Sequence, residues 1–361
     1  MSEQDTIMEH LKRQGISRRT FLKFCTLAAS SMALPLSAVS QIAKAIETSL
    51  RPRVIWLSGQ ECTGCSESLL RSYSTPFSEK ELDLTDLDTI SLEDMIFRLV
   101  SLEYHNTLMA PSGEAAELSR KQAIYPDPDS AEAKVPLVVV IDGSIPLAQD
   151  GALSCVGGWS FIDVVKEAVA KAGLVVAVGN CASFGGLPKA KPNPTNAYGV
   201  CELMANPDLD LLGNKPDLPI YLQLDTNAPL VNIPGCPPVP EVITGVLLNF
   251  ILYGAPGLDY LNRPLPYYGE TVHHSCSRNS THYRKGEFAD SFDGEYAQQG
   301  YCLMELGCKG TMTFNACSTT KWNNGTSYPM FSGHGCLGCS EPNFWDQWDK
   351  YDSFYTPIVK R

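Results

Sequence analysis

Residues 53–57 read Arg-Val-Ile-Trp-Leu, a short apolar run that is followed within a few residues by Cys62-Thr-Gly-Cys65. Three more runs are likewise short, rich in branched apolar side chains and bounded by Gly or Pro: residues 135–141, 174–178 and 230–233. Apolar runs without polar alternation are typical of strands buried on both faces of a parallel sheet. Helical periodicity at residues 161–172 and 240–253 alternates with these runs. The alternation predicts a doubly wound α/β sheet.

Cysteines follow the ends of three of the predicted strands. Cys62 and Cys65 follow the first, Cys181 follows the third and Cys236 follows the fourth. Ligands of open α/β sheets bind at the carboxyl ends of the strands, so these cysteines are expected to converge on one four-thiolate site. The alternative is four separate buried thiols, because free cysteine is commonly buried. That alternative does not explain why all four follow strand ends.

The sequence changes character after about Pro266, where long apolar runs give way to Gly, Asn, Ser and aromatic residues. This region is rich in side chains of the kind that bind metals: His273, Cys276, Cys302, Cys308, Cys317, Cys336 and Cys339. Two residues separate His273 from Cys276 and Cys336 from Cys339, a spacing that lets one turn present both side chains to the same metal centre. Metal–sulfur bonds are therefore expected to organise this region.

The number of ligands bears on the type of metal. Ten cysteines and one histidine give eleven ligands, which divide as four, four and three. Structural zinc takes four ligands, so a group of three fits zinc poorly, whereas it fits an iron–sulfur cluster that lacks one corner. A disulfide- or zinc-stabilised exported binding protein is the alternative for a chain with this many cysteines. Cys155 and Cys201 have no partner at ligand spacing and are expected to be small core residues.

The composition sets bounds on the class of protein. The 361 residues are 44% hydrophobic and 19% charged, and the formal net charge is −12. The first 45 residues carry six basic and three acidic side chains, so their net charge is +3 and that of the remainder is −15. An acidic body has no electrostatic footprint for nucleic acid or for an anionic membrane surface.

The first 45 residues have the order of an export signal. Ser17-Arg-Arg-Thr-Phe-Leu-Lys23 precedes an apolar, small-residue run at residues 24–39, and Ala43-Lys-Ala45 offers a cleavage site. Paired arginines indicate the twin-arginine route, so the mature protein is expected in the periplasm. We expect this segment to be an address rather than part of the fold; an amphipathic helix with a chance Arg-Arg is the alternative. No later segment has the apolar length of a membrane span, so a soluble mature chain is expected.

Several motifs together resemble the small subunit of nickel–iron hydrogenases. They are Glu61-Cys-Thr-Gly-Cys-Ser-Glu-Ser68, Pro234-Gly-Cys-Pro-Pro238, Leu306-Gly-Cys-Lys-Gly310, Asn315-Ala-Cys-Ser-Thr319 and Gly333-His-Gly-Cys-Leu-Gly-Cys339. With the twin-arginine signal, they follow the order of that family along essentially the whole chain. The resemblance implies a signal peptide at residues 1–45, a flavodoxin-like domain at 46–265 and an irregular cluster-binding domain at 266–361.

The resemblance also implies three iron–sulfur clusters. A proximal 4Fe–4S cluster would be held by Cys62, Cys65, Cys181 and Cys236, a distal 4Fe–4S cluster by His273, Cys276, Cys302 and Cys308, and a medial 3Fe–4S cluster by Cys317, Cys336 and Cys339. Pro329 stands where a fourth medial cysteine would otherwise fall. Glu61 is expected either in a proton path at the subunit interface or in a hydrogen bond that orients the cysteine loop.

The function that the resemblance implies is an electron relay. The nickel–iron centre would belong to a large subunit that forms a heterodimer with this chain, and a cytochrome or other redox protein would exchange electrons with it. The C-terminal membrane helix of many exported members is not found, so either a soluble heterodimer or attachment to a membrane through a separate subunit is expected. Oxygen-tolerant relatives have extra cysteines at the positions of Gly64 and Gly186, so an oxygen-inhibited enzyme is expected. A self-standing polyferredoxin-like carrier is the alternative.

Two segments extend this pattern. An insertion around Glu79–Glu93, rich in Asp, Glu and Leu, is expected to be a solvated loop, with a docking element for another subunit as the alternative. Residues 344–348, Phe-Trp-Asp-Gln-Trp, are expected to pack over the cluster-binding domain, with partner docking as the alternative.

Overall fold

The computed structural model describes residues 6–32, 34–72, 98–205, 208, 211–212, 218–323 and 325–346. Its main sheet has five strands: β1 Arg53–Ser58, β2 Ser101–His105, β3 Leu137–Asp142, β4 Leu174–Val178 and β5 Leu230–Ile233. All neighbouring strands are parallel, and their order across the sheet is β2-β1-β3-β4-β5. This is the strand order of flavodoxin-like folds, so the predicted fold class is confirmed.

Four of these strands lie where the apolar runs predict them. The edge strand β2 is the one that the sequence pattern does not predict. Its sequence, Ser-Leu-Glu-Tyr-His, contains no continuous apolar run, and only its last two residues are buried. It pairs with β1 alone, with an irregularity in register between Val54 and Ile55. Two short antiparallel ladders, residues 145–146 with 197–198 and residues 155–156 with 159–160, lie outside the main sheet.

Helices cover both faces of the sheet. The α-helices are α1 Ile7–Arg13, α2 Arg18–Ser31, α3 Val39–Thr48, α4 Gly64–Leu69, α5 Glu114–Ile124, α6 Phe161–Val169, α7 Gly179–Phe184, α8 Val200–Leu203, α9 Pro240–Tyr253, α10 Leu265–Tyr268, α11 Ser277–Thr281 and α12 Glu295–Gln298. Side chains alternate along the strands between two apolar clusters. Trp56 and Val138 pack on the side of α4 and α9, whereas Ile55 and Val139 pack on the side of α5, α6 and α7. Because both faces are covered, the inner strands are apolar throughout.

The ends of the two helices predicted from periodicity have identifiable causes. Helix α6 begins after Ser160, whose hydroxyl accepts a hydrogen bond from the Asp163 N–H. Helix α9 has Pro240 in its first turn, where a missing N–H costs nothing, and ends at Gly254 with φ +86°. Turns of 3-10 helix occur at Leu36–Ala38, Glu132–Lys134, Ala148–Gly151, Leu187–Lys189, Ile220–Leu222, Tyr283–Lys285, Met304–Leu306 and Ala316–Ser318.

The N-terminal segment is part of the fold. Helices α2 and α3 pack against α9, and Phe24, Cys25 and Ala28 are at most 2% exposed within the apolar cluster that also contains Val246. The described residues of this segment therefore pack against the domain in the full chain, while the role of residues 1–45 as a signal peptide stays a prediction. The physical reason is that α9 carries apolar side chains on the side away from the sheet as well as towards it. Within the described residues, no helix is both long and apolar enough to span a membrane.

The chain after α10 is irregular, as predicted, and shares the apolar cluster of α9 through residues such as Leu303 and Tyr328. A fully buried cation joins it to the preceding domain. The Arg263 guanidinium lies 2.8 Å from an Asp259 carboxylate oxygen and 3.0 Å from one of Glu341. A buried charge is stable only when it keeps its partner, so the contact between Arg263 and Glu341 holds the irregular region against the preceding domain.

The aromatic tail packs elsewhere than expected. Phe344 and Trp345 belong to the apolar cluster on the α5–α7 side of the sheet, and Asp346 accepts a hydrogen bond from the Lys191 N–H at 3.1 Å. For these residues the expected packing over the cluster-binding domain is wrong, because their apolar partners lie on the flavodoxin-like domain. Residues 347–348 and the insertion at 79–93 lie outside the described residues.

Candidate metal centres

The first group of cysteines, called the proximal group below, lies at the carboxyl edge of the sheet. Cys62 and Cys65 follow β1, Cys181 lies in α7 directly after β4, and Cys236 follows β5. The four thiols lie close enough for their charges to affect one another's pKa. The charge of Cys62 raises the pKa of the other three, and the charge of Cys236 raises that of Cys181. The structure therefore brings together the four cysteines that the sequence groups. Cys62 and Cys236 are exposed, and the other two are half-buried.

Glycines make room for these thiols. Gly186 has φ +58°, and a Cβ there would lie 2.5 Å from the Cys181 Sγ and 2.6 Å from its Cα. Gly179 has φ +86°, and a Cβ there would collide with the Cys65 Sγ. Side chains of L-residues rarely adopt such φ values, so with the backbone of this chain only glycine fits these positions without strain, and a relative with cysteine at position 186 needs a different local backbone.

Burial controls the protonation of the proximal thiols. It raises the pKa of Cys181 to about 12 and that of Cys65 well above its ordinary value. A buried thiolate without a counter-charge is unfavourable, so both groups are protonated at neutral pH when no metal is bound. A metal cation supplies that counter-charge, and its binding to thiolates releases protons.

Polar side chains behind the first cysteine loop are part of the site, although the sequence did not single them out. Asp142 ends β3, is fully buried and accepts a hydrogen bond from the Ser66 hydroxyl at 3.3 Å. Burial and then the Glu61 charge raise its pKa to about 7. His105 is equally buried, and burial lowers its pKa to about 4. In the sequence, Asp142 could have been recognised as an acidic residue at the end of an otherwise apolar strand.

Glu61 lies next to Cys62. One carboxylate oxygen accepts a hydrogen bond from the Thr63 hydroxyl at 3.4 Å, and the other is buried with no hydrogen-bond partner in the described part of the chain. Burial raises the pKa of this carboxyl. The first contact fits a role in orienting the loop, and the second oxygen fits a role in holding a proton.

The second group, called the distal group, surrounds His273. Cys276, Cys302 and Cys308 are buried. The charges of Cys276 and Cys308 raise the pKa of Cys302, and the charge of Cys276 raises the pKa of Cys308. The Nε2 atom of His273 is buried, and no described residue forms a hydrogen bond with it. Burial lowers the pKa of this imidazole, which favours its neutral, metal-binding form. His274 is exposed, so the structure distinguishes the two neighbouring histidines as the sequence spacing did.

The third group, called the medial group, consists of Cys317, Cys336 and Cys339. The charge of one thiol raises the pKa of the next. Cys317 acts in this way on Cys339, Cys336 acts on Cys317, and Cys339 acts on Cys336. The Gly338 N–H points at the Cys336 Sγ at 3.4 Å, so the Cys-x-x-Cys turn directs a backbone donor at its own first sulfur. Pro329, which the resemblance places at a missing fourth corner, is exposed.

Contacts between ligands join the three groups in series. The Cys336 N–H of the medial group donates a hydrogen bond to the Cys308 Sγ of the distal group at 3.2 Å. On the other side, the Cys236 backbone of the proximal group lies near the Cys339 thiol of the medial group and lowers its pKa, against the larger effect of burial, which raises it. Lys309 is fully buried between distal and medial ligands; burial lowers its pKa, and the Cys308 and Cys336 charges raise it. The order along this series is proximal, medial, distal.

The donor set fits iron–sulfur ligation better than a single ion. All thirteen cysteines are free thiols, and no three His, Cys, Asp or Glu side chains among the described residues are placed to hold one metal ion. Sulfurs around one zinc ion lie about 2.3 Å from it and therefore less than about 4.6 Å apart. A multi-iron cluster is larger and takes more widely spaced sulfurs. Of the two remaining cysteines, Cys201 is buried as expected, but Cys155 is exposed at a two-stranded turn, so its expected core position is wrong.

Comparison with known proteins gives consistent matches along the chain. Residues 268–352 match the family described as the C-terminal part of the NiFe/NiFeSe hydrogenase small subunit, and residues 62–250 match that described as NADH ubiquinone oxidoreductase, 20 Kd subunit. The chain is 38% identical to the hydrogenase-1 small chain of Citrobacter freundii, over 99% of this chain and 83% of the relative. It is 39% identical to the uptake hydrogenase small subunit of Afipia carboxidovorans, over 97% and 84%. Among solved structures, the [NiFeSe] hydrogenase of Desulfovibrio vulgaris Hildenborough matches with TM-score 0.64 and 31% identity, over 86% of this chain and 99% of that chain.

A flavodoxin-like domain with cysteines along its carboxyl edge, continued by an irregular cysteine-rich region, defines a class of oxidoreductase subunit. The chain belongs to the small subunits of nickel–iron hydrogenases, of the uptake type. These subunits pair with a nickel–iron large subunit, and the family carries iron–sulfur clusters. The chain is thus one subunit of an enzyme.

Proposed function

We propose that this chain carries electrons between the nickel–iron centre of its large subunit and an external redox partner during reversible hydrogen oxidation. The proximal and distal groups would each hold a 4Fe–4S cluster, and the medial group a 3Fe–4S cluster. The observation that carries the proposal is the series of contacts between ligands: the Cys336 N–H donates to the Cys308 Sγ at 3.2 Å, and the Cys236 backbone lies near the Cys339 thiol. Electron tunnelling weakens steeply with distance, so a relay needs closely spaced sites.

When bound, iron–sulfur clusters supply one-electron chemistry at potentials that their surroundings set. The residues of this chain would affect these reduction potentials in three ways. Backbone N–H groups point at ligand sulfurs, as at Cys308, and reduce their negative charge. The buried ammonium of Lys309 favours an added electron nearby. His273 replaces an anionic thiolate by a neutral imidazole, which makes the distal ligand set less negative.

We infer that the large subunit docks at the carboxyl edge of the sheet. Cys62 and Cys236 are the exposed members of the proximal group, so this end of the series is open to a partner. Glu61 lies at the same edge with one buried, unpartnered oxygen among the described residues and would hold a proton there. Glu61→Gln should slow hydrogen turnover and leave all iron–sulfur signals unchanged; altered proximal signals would instead assign Glu61 to the orientation of the loop. A cytochrome or other redox protein would exchange electrons at the distal group, and a separate subunit would provide any membrane attachment.

We propose export to the periplasm by the twin-arginine route. Arg18 and Arg19 are exposed and, with neighbouring side chains of α2, line an open hollow of about 500 Å³, so the arginine pair is accessible on the folded chain. The expected cleavage site at Ala43–Ala45 lies within α3, which must unwind before a peptidase can act there. Replacing both arginines by lysine should retain the heterodimer in the cytoplasm; unchanged periplasmic activity would refute this route.

The decisive experiment is metal analysis of the purified heterodimer. In the small subunit we expect about eleven iron atoms (4 + 4 + 3) with matching acid-labile sulfide, little zinc, and an oxidised 3Fe–4S signal in electron paramagnetic resonance. Stoichiometric zinc, or disulfides among the eleven ligands, would refute the relay and favour a stabilised binding protein. A clustered chain that purifies without a large subunit would favour a self-standing carrier.

A further inference from the structure

Asn180 is a buried polar side chain that is not one of the eleven ligands. It directly precedes Cys181, is 1% exposed, and lies where loops of two ligand groups meet. Its backbone N–H donates to the Gly235 carbonyl at 2.8 Å, next to Cys236. Its side-chain amide donates across to the medial loop, to the Cys339 carbonyl at 2.9 Å and the Glu341 carbonyl at 3.1 Å. Asn180 thus links the proximal loops of Cys181 and Cys236 to the medial loop of Cys339.

The proximal and medial groups approach each other at the same place. The Cys236 backbone lies near the Cys339 thiol and lowers its pKa, and this effect depends on the distance between the two loops. The Asn180 amide holds the carbonyl of Cys339 itself, so it holds that sulfur-bearing residue against the Cys236 backbone. A buried carbonyl without a partner is unfavourable, which makes loss of this amide costly to the local geometry.

We propose that Asn180 is a positioning residue that fixes the medial Cys339 against the proximal loops and thereby sets the reduction potential of the medial site. The inference rests on the proposed cluster function. A backbone N–H dipole near a ligand sulfur reduces its negative charge and stabilises the reduced cluster, so it raises the potential. If the amide of Asn180 is removed, the Cys339 loop relaxes, its sulfur moves away from the Cys236 backbone, and the medial potential falls.

The chain offers a matched control in Asn232. This asparagine is also fully buried, and its side-chain amide also donates to a backbone carbonyl, that of Leu261 at 2.8 Å. In both asparagines the side-chain oxygen is buried without a hydrogen-bond partner among the described residues. Asn232 lies in β5 and contacts no ligand loop through its side chain in that bond. It therefore reports the general cost of removing a buried amide from this domain.

The test uses the heterodimer with Asn180→Leu, Asn180→Ala, Asn232→Leu and Asn232→Ala. Leucine keeps the volume and alanine does not, so an effect shared by both comes from the lost donor. Medial and distal midpoint potentials are measured by redox titration with electron paramagnetic resonance, alongside iron content. We expect a lower medial potential in both Asn180 variants, an unchanged distal potential, and no shift in the Asn232 variants. Selective loss of the medial signal from the Asn180 variants would support the same role.

Other outcomes overturn the inference. An unchanged medial potential at full iron content would show that Asn180 does not set it. Equal shifts in the Asn180 and Asn232 variants, or equal loss of all signals, would show a general role in folding. These results are distinguishable from failure of the proposed function, because that failure appears in the unmodified heterodimer as the absence of the three cluster signals.

Discussion

With the backbone conformation that this chain has at position 186, replacement of Gly186 by alanine should remove the proximal cluster and leave the other two in place. The residue has φ +58° and ψ −156°, a region essentially restricted to glycine, so any side chain costs about 1–3 kcal/mol in backbone strain. The added Cβ would also lie 2.5 Å from the Cys181 Sγ. Ordinary contact requires about 3.5 Å, so the sulfur must move by about 1 Å. Metal–ligand distances tolerate only about 0.2 Å, and the bond from Cys181 to iron should be lost.

A second glycine separates strain from contact. Gly254 has φ +86° and ψ −164°, the same restricted region, but a Cβ there would meet nothing within 4 Å. Gly254→Ala should therefore show the backbone cost alone and keep about eleven iron atoms, whereas Gly186→Ala should fall to about seven (11 − 4). Iron analysis and spectra of the reduced heterodimers measure the difference. Full iron with an unchanged proximal spectrum in Gly186→Ala would refute the reasoning from the Cys181 contact.

Three further predictions concern the medial site, oxygen and the contact between domains. Pro329→Cys should supply a fourth thiolate and convert the 3Fe–4S cluster towards 4Fe–4S with a lower potential; an unchanged oxidised 3Fe–4S resonance would show that Pro329 is not at the empty corner. Because Gly64 and Gly186 provide no extra thiolates, we expect hydrogen-oxidation current at an electrode to stop when oxygen is admitted; sustained current in air would contradict this. Arg263→Met leaves the carboxylate of Glu341 buried without its partner and should destabilise the chain by about 3–5 kcal/mol in thermal unfolding. A melting temperature within a degree of the unmodified protein would show that this ion pair is dispensable.

The sheet was predictable where burial is complete. Residues 137–142 and 174–178 are buried throughout, so nearly every position is apolar and the run is visible in the sequence. Strand β2 differs because it is an edge strand whose first three residues are only half-buried. Its Glu103 is compatible with that exposure and breaks the apolar run. Apolar runs in the sequence therefore predict the central strands of a parallel sheet but not its edge strand.

Ligand groups within one loop or turn were also predictable, because spacing along the chain determines which side chains one turn presents. Contacts between groups were not. Nothing in the spacing of Cys236 and Cys339 indicates that the backbone of one lies near the sulfur of the other, across more than a hundred residues of sequence. Asn180 and Lys309 act at such junctions, and each looks ordinary in the sequence, where it stands beside a cysteine already assigned to a site. Long-range side-chain contacts depend on the packed arrangement of both domains and become visible only in three dimensions.

The N-terminal segment shows why one composition supports two interpretations. An export signal needs a run of small and apolar residues, and a helix that covers an apolar face needs the same residues at helical spacing. Phe24, Cys25 and Ala28 satisfy both requirements, and in the folded chain they are buried on the α9 side of the sheet. The exposed side of α2 presents Arg18 and Arg19 instead. The arginine pair of the proposed export signal and the packing surface therefore lie on opposite faces of one helix, so the helical interpretation that the sequence offered as an alternative is compatible with an export signal.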